Sequence, residues 1–202
     1  LLDHFPDNPV VLNNLGAVAL QLGDHAQSIG LLRRTLEISP AQPLAFFNLG
    51  IGLQALGQLP EALENYERAI ALQSDHAGAR FRRGLVLKEL RRFGKALENF
   101  DHLLIMRPSH AGAHYQRGRV LEALNRFDEG LAAFQRAVAL RPDHVGALLA
   151  LGVALGCSGR LDEAVAAYER VIAVQPDHTA AYVYRGVVLQ DLKRFDEALA
   201  SF

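Results

Sequence analysis

The sequence predicts an all-α fold, a solenoid of antiparallel helix pairs, on three observations. A glycine returns every 34 residues, at Gly16, Gly50, Gly84, Gly118, Gly152 and Gly186. Around it, apolar residues recur at helical spacing, as in Leu12, Leu15 and Ala19 or in Phe46, Leu49 and Leu53. A proline closes the period at Pro40, Pro108, Pro142 and Pro176, where the missing amide proton ends a helix. A fixed period of this length marks stacked repeats that touch only their neighbours, and such an array offers a long surface rather than an enclosed pocket.

Taken in order, residues 1–8 read as the tail of a preceding repeat, because Pro6 lies 34 residues before Pro40. Six copies follow, at 9–42, 43–76, 77–110, 111–144, 145–178 and 179–202, the last stopping partway through its second helix. In each copy the first helix carries the periodic glycine at its eighth position. A turn follows, marked by Gly23, Gly57 or Gly159. The second helix brings a small residue opposite that glycine, in order Ser28, Ala62, Ala96, Gly130, Ala164 and Ala198. Small residues on both sides let two helix axes approach at the close end of about 8–10 Å. Four residues later a bulky group fills the space between helices: Leu32, Tyr66, Phe100, Phe134, Tyr168 and Phe202. No polar capping element is legible at either end, so the expectation is a segment of a longer array, or ends that stack on other copies.

Composition excludes several functions. A net charge of −1 exerts no general pull on nucleic acid or on an anionic membrane. The longest uncharged stretch, from Val145 to Gly159, is too short for a membrane span of about 20 residues and suits a buried helix. Leu1 to Pro6 lacks the basic start and apolar run of a secretory leader. One cysteine, Cys157, forms no internal disulfide, which fits a reducing compartment and, with the missing leader, a cytoplasmic location. Eighteen arginines against three lysines point to a GC-rich, bacterial genome.

Leucine and glycine in the first helix, alanine and an aromatic in the second, and a closing proline together resemble the tetratricopeptide repeat family over essentially the whole chain. The family's common fourth-position tryptophan is absent, replaced by Leu12, Phe46, Arg80, His114, Leu148 and Tyr182. The resemblance implies a right-handed superhelix whose first helices line a concave groove, and a role in protein interaction. That groove would draw on the fifth position (Phe47, Phe81, Tyr115, Leu149), the sixth (Asn14, Asn48, Arg82, Gln116), the ninth (Ile51, Leu85, Arg119, Val153) and the twelfth (Lys88). Its fifth and ninth positions are unusually apolar, and a solvent-facing apolar stripe buries side chains of a bound peptide or helix, or else packs on its own neighbours. Helix 145–158 carries no charge on any face, so Leu149 and Val153 predict an occupant, either a partner or another copy of the chain.

Polar motifs refine the picture. Asn14 and Asn48 stand where family members, including the repeat arms of O-GlcNAc transferases, hold a peptide backbone, but Arg82, Gln116, Ala150 and Tyr184 break the ladder. The family's clamp for C-terminal carboxylates is matched only by Asn48 and Arg82, with Asn13, Ala17 and Gly78 at its other places, which disfavours chaperone-tail binding. Arg80, Arg82, Arg83, Lys88, Arg91, Arg92 and Lys95 face the single acid Glu89, which makes either a seat for acidic groups around Arg82, Lys88 and Arg119 or a solvated surface. The remaining repeats supply no basic track for nucleic acid. His76, His110, His144 and His178 recur once per repeat, about 10 Å apart, too far for one metal ion, and are expected beside helix starts capped by Asp75, Ser109, Asp143 and Asp177. No nucleophile–base pair, phosphate loop or metal cluster is legible, so neither an enzyme nor a cofactor is expected. The reading is a scaffold or adaptor that holds a peptide or helix in the groove. A substrate-recruiting arm of a larger enzyme, such as an O-GlcNAc transferase-like glycosyltransferase, and a self-assembling array are its alternatives.

Overall fold

Helix starts are set by side chains that cap them. In the computed structural model of the chain, which describes residues 7–202, Asn8 Oδ1 accepts hydrogen bonds from the amides of Val10 at 3.0 Å and Val11 at 3.3 Å. These open α1 (Pro9–Gln21), where Pro9 sits in the first turn and loses no hydrogen bond. A tight turn leads to α2 (His25–Ile38), and the same pairing continues through α3 (Pro43–Ala55), α4 (Leu59–Leu72), α5 (Ala77–Glu89) and α6 (Phe93–Met106). These helices form one compact unit, up to Met106. A second unit, from Arg107, holds α7 (Ala111–Ala123), α8 (Phe127–Leu140), α9 (Val145–Cys157), α10 (Leu161–Val174), α11 (Thr179–Asp191) and α12 (Phe195–Leu199). Among the described residues no strand is present. Of the stretch read as the tail of a preceding repeat, residues 1–6 lie outside the described residues.

The recurring histidines are themselves the caps, which corrects the expectation that the preceding Asp or Ser does this work. The Nδ1 atoms of His76, His110, His144 and His178 accept from the amides of Ala79, Ala113, Ala147 and Ala181 at 3.0–3.2 Å. Each histidine is the last non-helical residue, the position from which a side chain reaches the third amide of the helix; Asp75, Ser109, Asp143 and Asp177 stand one residue too early.

The turns inside the pairs all place one residue in the left-handed region. Gly23, Gly57 and Gly159 adopt it at φ 80°, 74° and 76°, while the equivalent places in the other pairs are held by Arg91, Asn125 and Lys193 at φ 56°, 59° and 59°. A Cβ in this conformation meets the following carbonyl, at a cost of about 1–2 kcal/mol for most side chains. The turns at Arg91 and Lys193 are therefore strained, while glycine, or asparagine at 125, tolerates the conformation in the other four.

Each helix pair is held by its bulky residue seated on the periodic glycine. A Cβ added at Gly50 would lie 2.6 Å from the Tyr66 ring, at Gly84 2.6 Å from Phe100, at Gly152 2.5 Å from Tyr168 and at Gly186 2.6 Å from Phe202; at Gly118 it would strike Phe134. The small residue plays the complementary part. A Cβ at Gly130 would be 3.4 Å from the Gly118 carbonyl oxygen, so the two backbones approach closely there. Tyr66, Phe100 and Phe134 are completely buried, and each contributes about 1.5–3 kcal/mol of apolar burial. Phe202 keeps its seat on Gly186 yet stays largely exposed, because no later helix among the described residues covers it.

Three consequences are measurable by urea unfolding of the full chain. Gly152→Ala displaces the Tyr168 ring and lowers stability by about 1–3 kcal/mol. Arg91→Gly and Lys193→Gly relieve left-handed strain and raise stability by about 0.5–1 kcal/mol each, and an unchanged midpoint in both would refute the strain. His144→Ala costs about 1 kcal/mol, and His144→Asn, which can accept the same amide hydrogen, restores it.

Candidate functional site

Within the second unit, α9 is the helix whose chemistry is least satisfied by the fold. It has no charged residue, and its packing face consists of Ala147, Leu148, Ala150, Leu151, Gly152 and Leu155. That leaves Leu149 half-buried and Val153 37% exposed. One period later on α11, Val183, Tyr184 and Val187 are 41%, 42% and 47% exposed. Together they make an apolar row on the first helices of this unit.

Three hollows meet at Val153. The first, of about 250 Å³, is bordered by Tyr115 and Arg119 from α7, Leu149 and Val153 from α9, and Tyr184 from α11. A second, of about 320 Å³, runs between α9 and α11 along Val153, Cys157, Tyr184 and Val187, with Tyr168 beneath and Asp191 at its charged end. The third, of about 540 Å³, lies where the end of α7, the start of α8 and the end of α9 come together, among Glu122, Phe127, Leu131, Val153 and Cys157. The structure thus brings together four of the expected groove residues, Tyr115, Arg119, Leu149 and Val153. Gln116 lies half-buried on the same helix as Tyr115.

Electrostatics in these hollows is dominated by one pair. Arg119 Nε lies 3.1 Å from Glu122 Oε2, so this arginine already has an acid partner within its own helix. Partial burial pushes the Glu122 carboxyl above the usual carboxylate range, and Arg119 acts in the opposite sense. The Tyr168 hydroxyl is pushed up to about 12, chiefly by burial, with Cys157 and Tyr184 adding to the rise. The Tyr168 hydroxyl is therefore neutral at neutral pH, and the Tyr184 ring lies beside it. The two rings lie 5.9 Å apart, which links the floor of the α9–α11 hollow to its rim.

The fifth-position aromatics also do structural work. Tyr115 lies 5.0 Å from the ring of His144, and its hydroxyl would be 3.3 Å from a Cβ at Gly146. In the first unit Phe47 repeats the arrangement with His76 at 4.7 Å and Gly78 at 3.3 Å. Each aromatic thus braces the histidine cap of the following helix pair and keeps only part of its surface for a ligand.

The other expected residues lie on α1, α3 and α5 of the first unit. Asn14 is exposed, whereas Asn48 is only 8% exposed, so the two asparagine rungs present different amounts of amide to solvent. Phe47, Ile51, Phe81, Arg82, Leu85 and Lys88 are half-buried. The basic cluster there is partly consumed by the fold. Arg80 is buried and donates to the Ser74 carbonyl at 3.0 Å, while Arg83 pairs with Glu67 at 3.1 Å and donates to Asn99 at 3.3 Å. Arg91 lies over the Phe93 ring at 5.7 Å. Among the described residues no group of three or more His, Cys, Asp or Glu side chains is placed to hold a metal ion, and no helix is long and apolar enough to cross a membrane.

Sequence reasoning missed Glu122 and Phe127 as bordering residues, whereas Tyr184 and Val187 stand in the sixth- and ninth-position columns. Phe127 was missed because its column, with His25, Leu59, Phe93, Leu161 and Phe195, opens the second helices and lies outside the first-helix positions expected to line the groove.

Comparison with known proteins places these features in context. One tetratricopeptide repeat profile matches residues 7–75, and a second matches 47–111, 84–145, 115–156 and 149–202. No curated protein matches the sequence. Among solved structures, PilF of Pseudomonas aeruginosa superposes with a TM-score of 0.85 at 19% identity, covering 96% of this chain and 88% of that one. MamA from Desulfovibrio magneticus RS-1 gives 0.77 at 22% identity, with 85% and 97% covered. YrrB, described as a tetratricopeptide repeat protein with an unusual peptide-binding site, gives 0.72 at 19% identity, with 89% and 93% covered.

Proposed function

This chain belongs to the tetratricopeptide repeat family, and we propose that it is a non-enzymatic protein-interaction scaffold that buries apolar side chains of a partner polypeptide on the α7–α9–α11 face. The observation that carries the proposal is the uncharged helix α9 with Val153 exposed at the meeting point of three hollows. A helix apolar on every side is normally covered on every side, and here the fold leaves Val153 and Cys157 exposed and Leu149 half-buried. Val183, Tyr184 and Val187 extend the uncovered surface onto the next first helix. Peptide binding by YrrB supports the same use of the fold. In the first unit, acidic groups of a partner would meet Arg82 and Lys88 on α5, while Asn14 and Asn48 would offer backbone hydrogen bonds from α1 and α3.

A photo-crosslinking residue at position 115, used in native extract, tests the proposal. The expected product is one recurrent foreign peptide, lost when Leu149→Glu places a charge in the row while circular dichroism and melting stay unchanged. Capture of the same chain would favour self-assembly instead. Undiminished capture by Leu149→Glu would remove the apolar row from the interaction.

A further inference from the structure

The largest of the three hollows differs in chemistry from the rest of the face. Its walls are apolar, formed by Leu131 on α8 and by Val153, Ala154 and Cys157 on α9, and Phe127 stands 63% exposed at its edge. Its charged lining residues, Glu122 and Asp128, are both acids. We propose that this hollow receives a basic amphipathic segment of the partner polypeptide: one aliphatic or aromatic side chain enters it, and a neighbouring Lys or Arg rests on Glu122 and Asp128. This inference depends on the reading of the face as a polypeptide-binding surface and names the chemistry of its occupant.

Size, surface and charge each point the same way. A volume of about 540 Å³ exceeds what one side chain fills and accommodates an apolar anchor together with the aliphatic stem of an adjacent long cation. Phe127 offers a ring face over which a guanidinium or ammonium can sit. Glu122 is partly desolvated and lines both this hollow and the neighbouring one, where Arg119 pairs with it. A second cation therefore gains more here than beside a fully hydrated carboxylate. Asp128 lies in the first turn of α8, where the helix dipole favours a carboxylate. The adjoining α9–α11 hollow repeats the sign, with Asp191 as its charged lining residue. An acidic segment would add carboxylates to carboxylates, and a purely apolar ligand would bring no counter-charge to Asp128.

Three dye-labelled helical peptides test this against the full chain by fluorescence polarisation. One has a leucine with a lysine one turn before and after, the second replaces the lysines by glutamates, and the third replaces the leucine by alanine. The expected result is binding of the lysine–leucine peptide about five- to tenfold tighter than either variant peptide. Glu122→Gln combined with Asp128→Asn should abolish that preference for lysine over glutamate, and Phe127→Ala should weaken both lysine-bearing peptides but not the glutamate peptide. Equal or tighter binding of the glutamate peptide, a preference that survives the double substitution, or no measurable binding of any of the three overturns the inference. Because crosslinking from position 115 reports on the face independently, intact capture there with no charge preference here would sink only this inference.

Discussion

The seat of a bulky side chain on a bare backbone is the constraint from which the rest of this fold follows. At Gly50, Gly84, Gly118 and Gly152 the ring of the second helix occupies the space a methyl group would need, so ring and glycine are one choice rather than two. The packing brings the helices of a pair close, and the approach is completed by a small residue on the opposite side, as at Gly130 against the Gly118 carbonyl. Because this contact is made inside each pair, the first helix spends one face on its own partner and another on its neighbours. What remains is a narrow strip, and the residues on that strip are the ones free to vary in chemistry.

That strip is not spare surface throughout. Phe47 and Tyr115 lean over His76 and His144, and those histidines hold the first amides of the helices that follow. The glycines at 78 and 146 make room for the same aromatics. A stripe that reads as a ligand surface is therefore also a brace between successive pairs in each unit. On α9 and α11 the strip carries Leu149, Val153, Val183 and Val187, none aromatic and two of them nearly half-exposed. The apolar surface there exceeds what bracing uses.

Much of the fold was legible because period and pattern agree at every level. Helix starts at Pro9, Pro43, Ala77, Ala111, Val145 and Thr179 follow from the register of the glycine column. The turn at Gly57 is readable from its glycine, whereas the left-handed conformation of Arg91 and Lys193 is readable only from the 34-residue register they share with Gly57 and Gly159, not from their residue type. The caps were misplaced by one residue because Asp and Ser are the commoner caps, whereas imidazole Nδ1 accepts an amide hydrogen equally well from the position that reaches it. Tyr115, Arg119, Leu149 and Val153 were legible as one side of a surface. The pairing of Arg119 with Glu122 was not, because the alternative partners of a long cation are decided by rotamers and not by spacing.

The distribution of charge on the second unit argues for a partner that is read in two ways at once. An uncharged α9 sets no orientation, since apolar contact is non-directional and accepts many sequences. Carboxylates confined to the edge, Glu122 and Asp128 at one hollow and Asp191 at the next, supply the missing direction without entering the apolar row. Placed in the row itself, carboxylates would cost desolvation on every binding event; Asp128 and Asp191, exposed at its edge, would discriminate a partner by sign without that cost. In the proposed interaction affinity and specificity would come from different residues of the same face, so that either could change in sequence without the glycine seats beneath being disturbed.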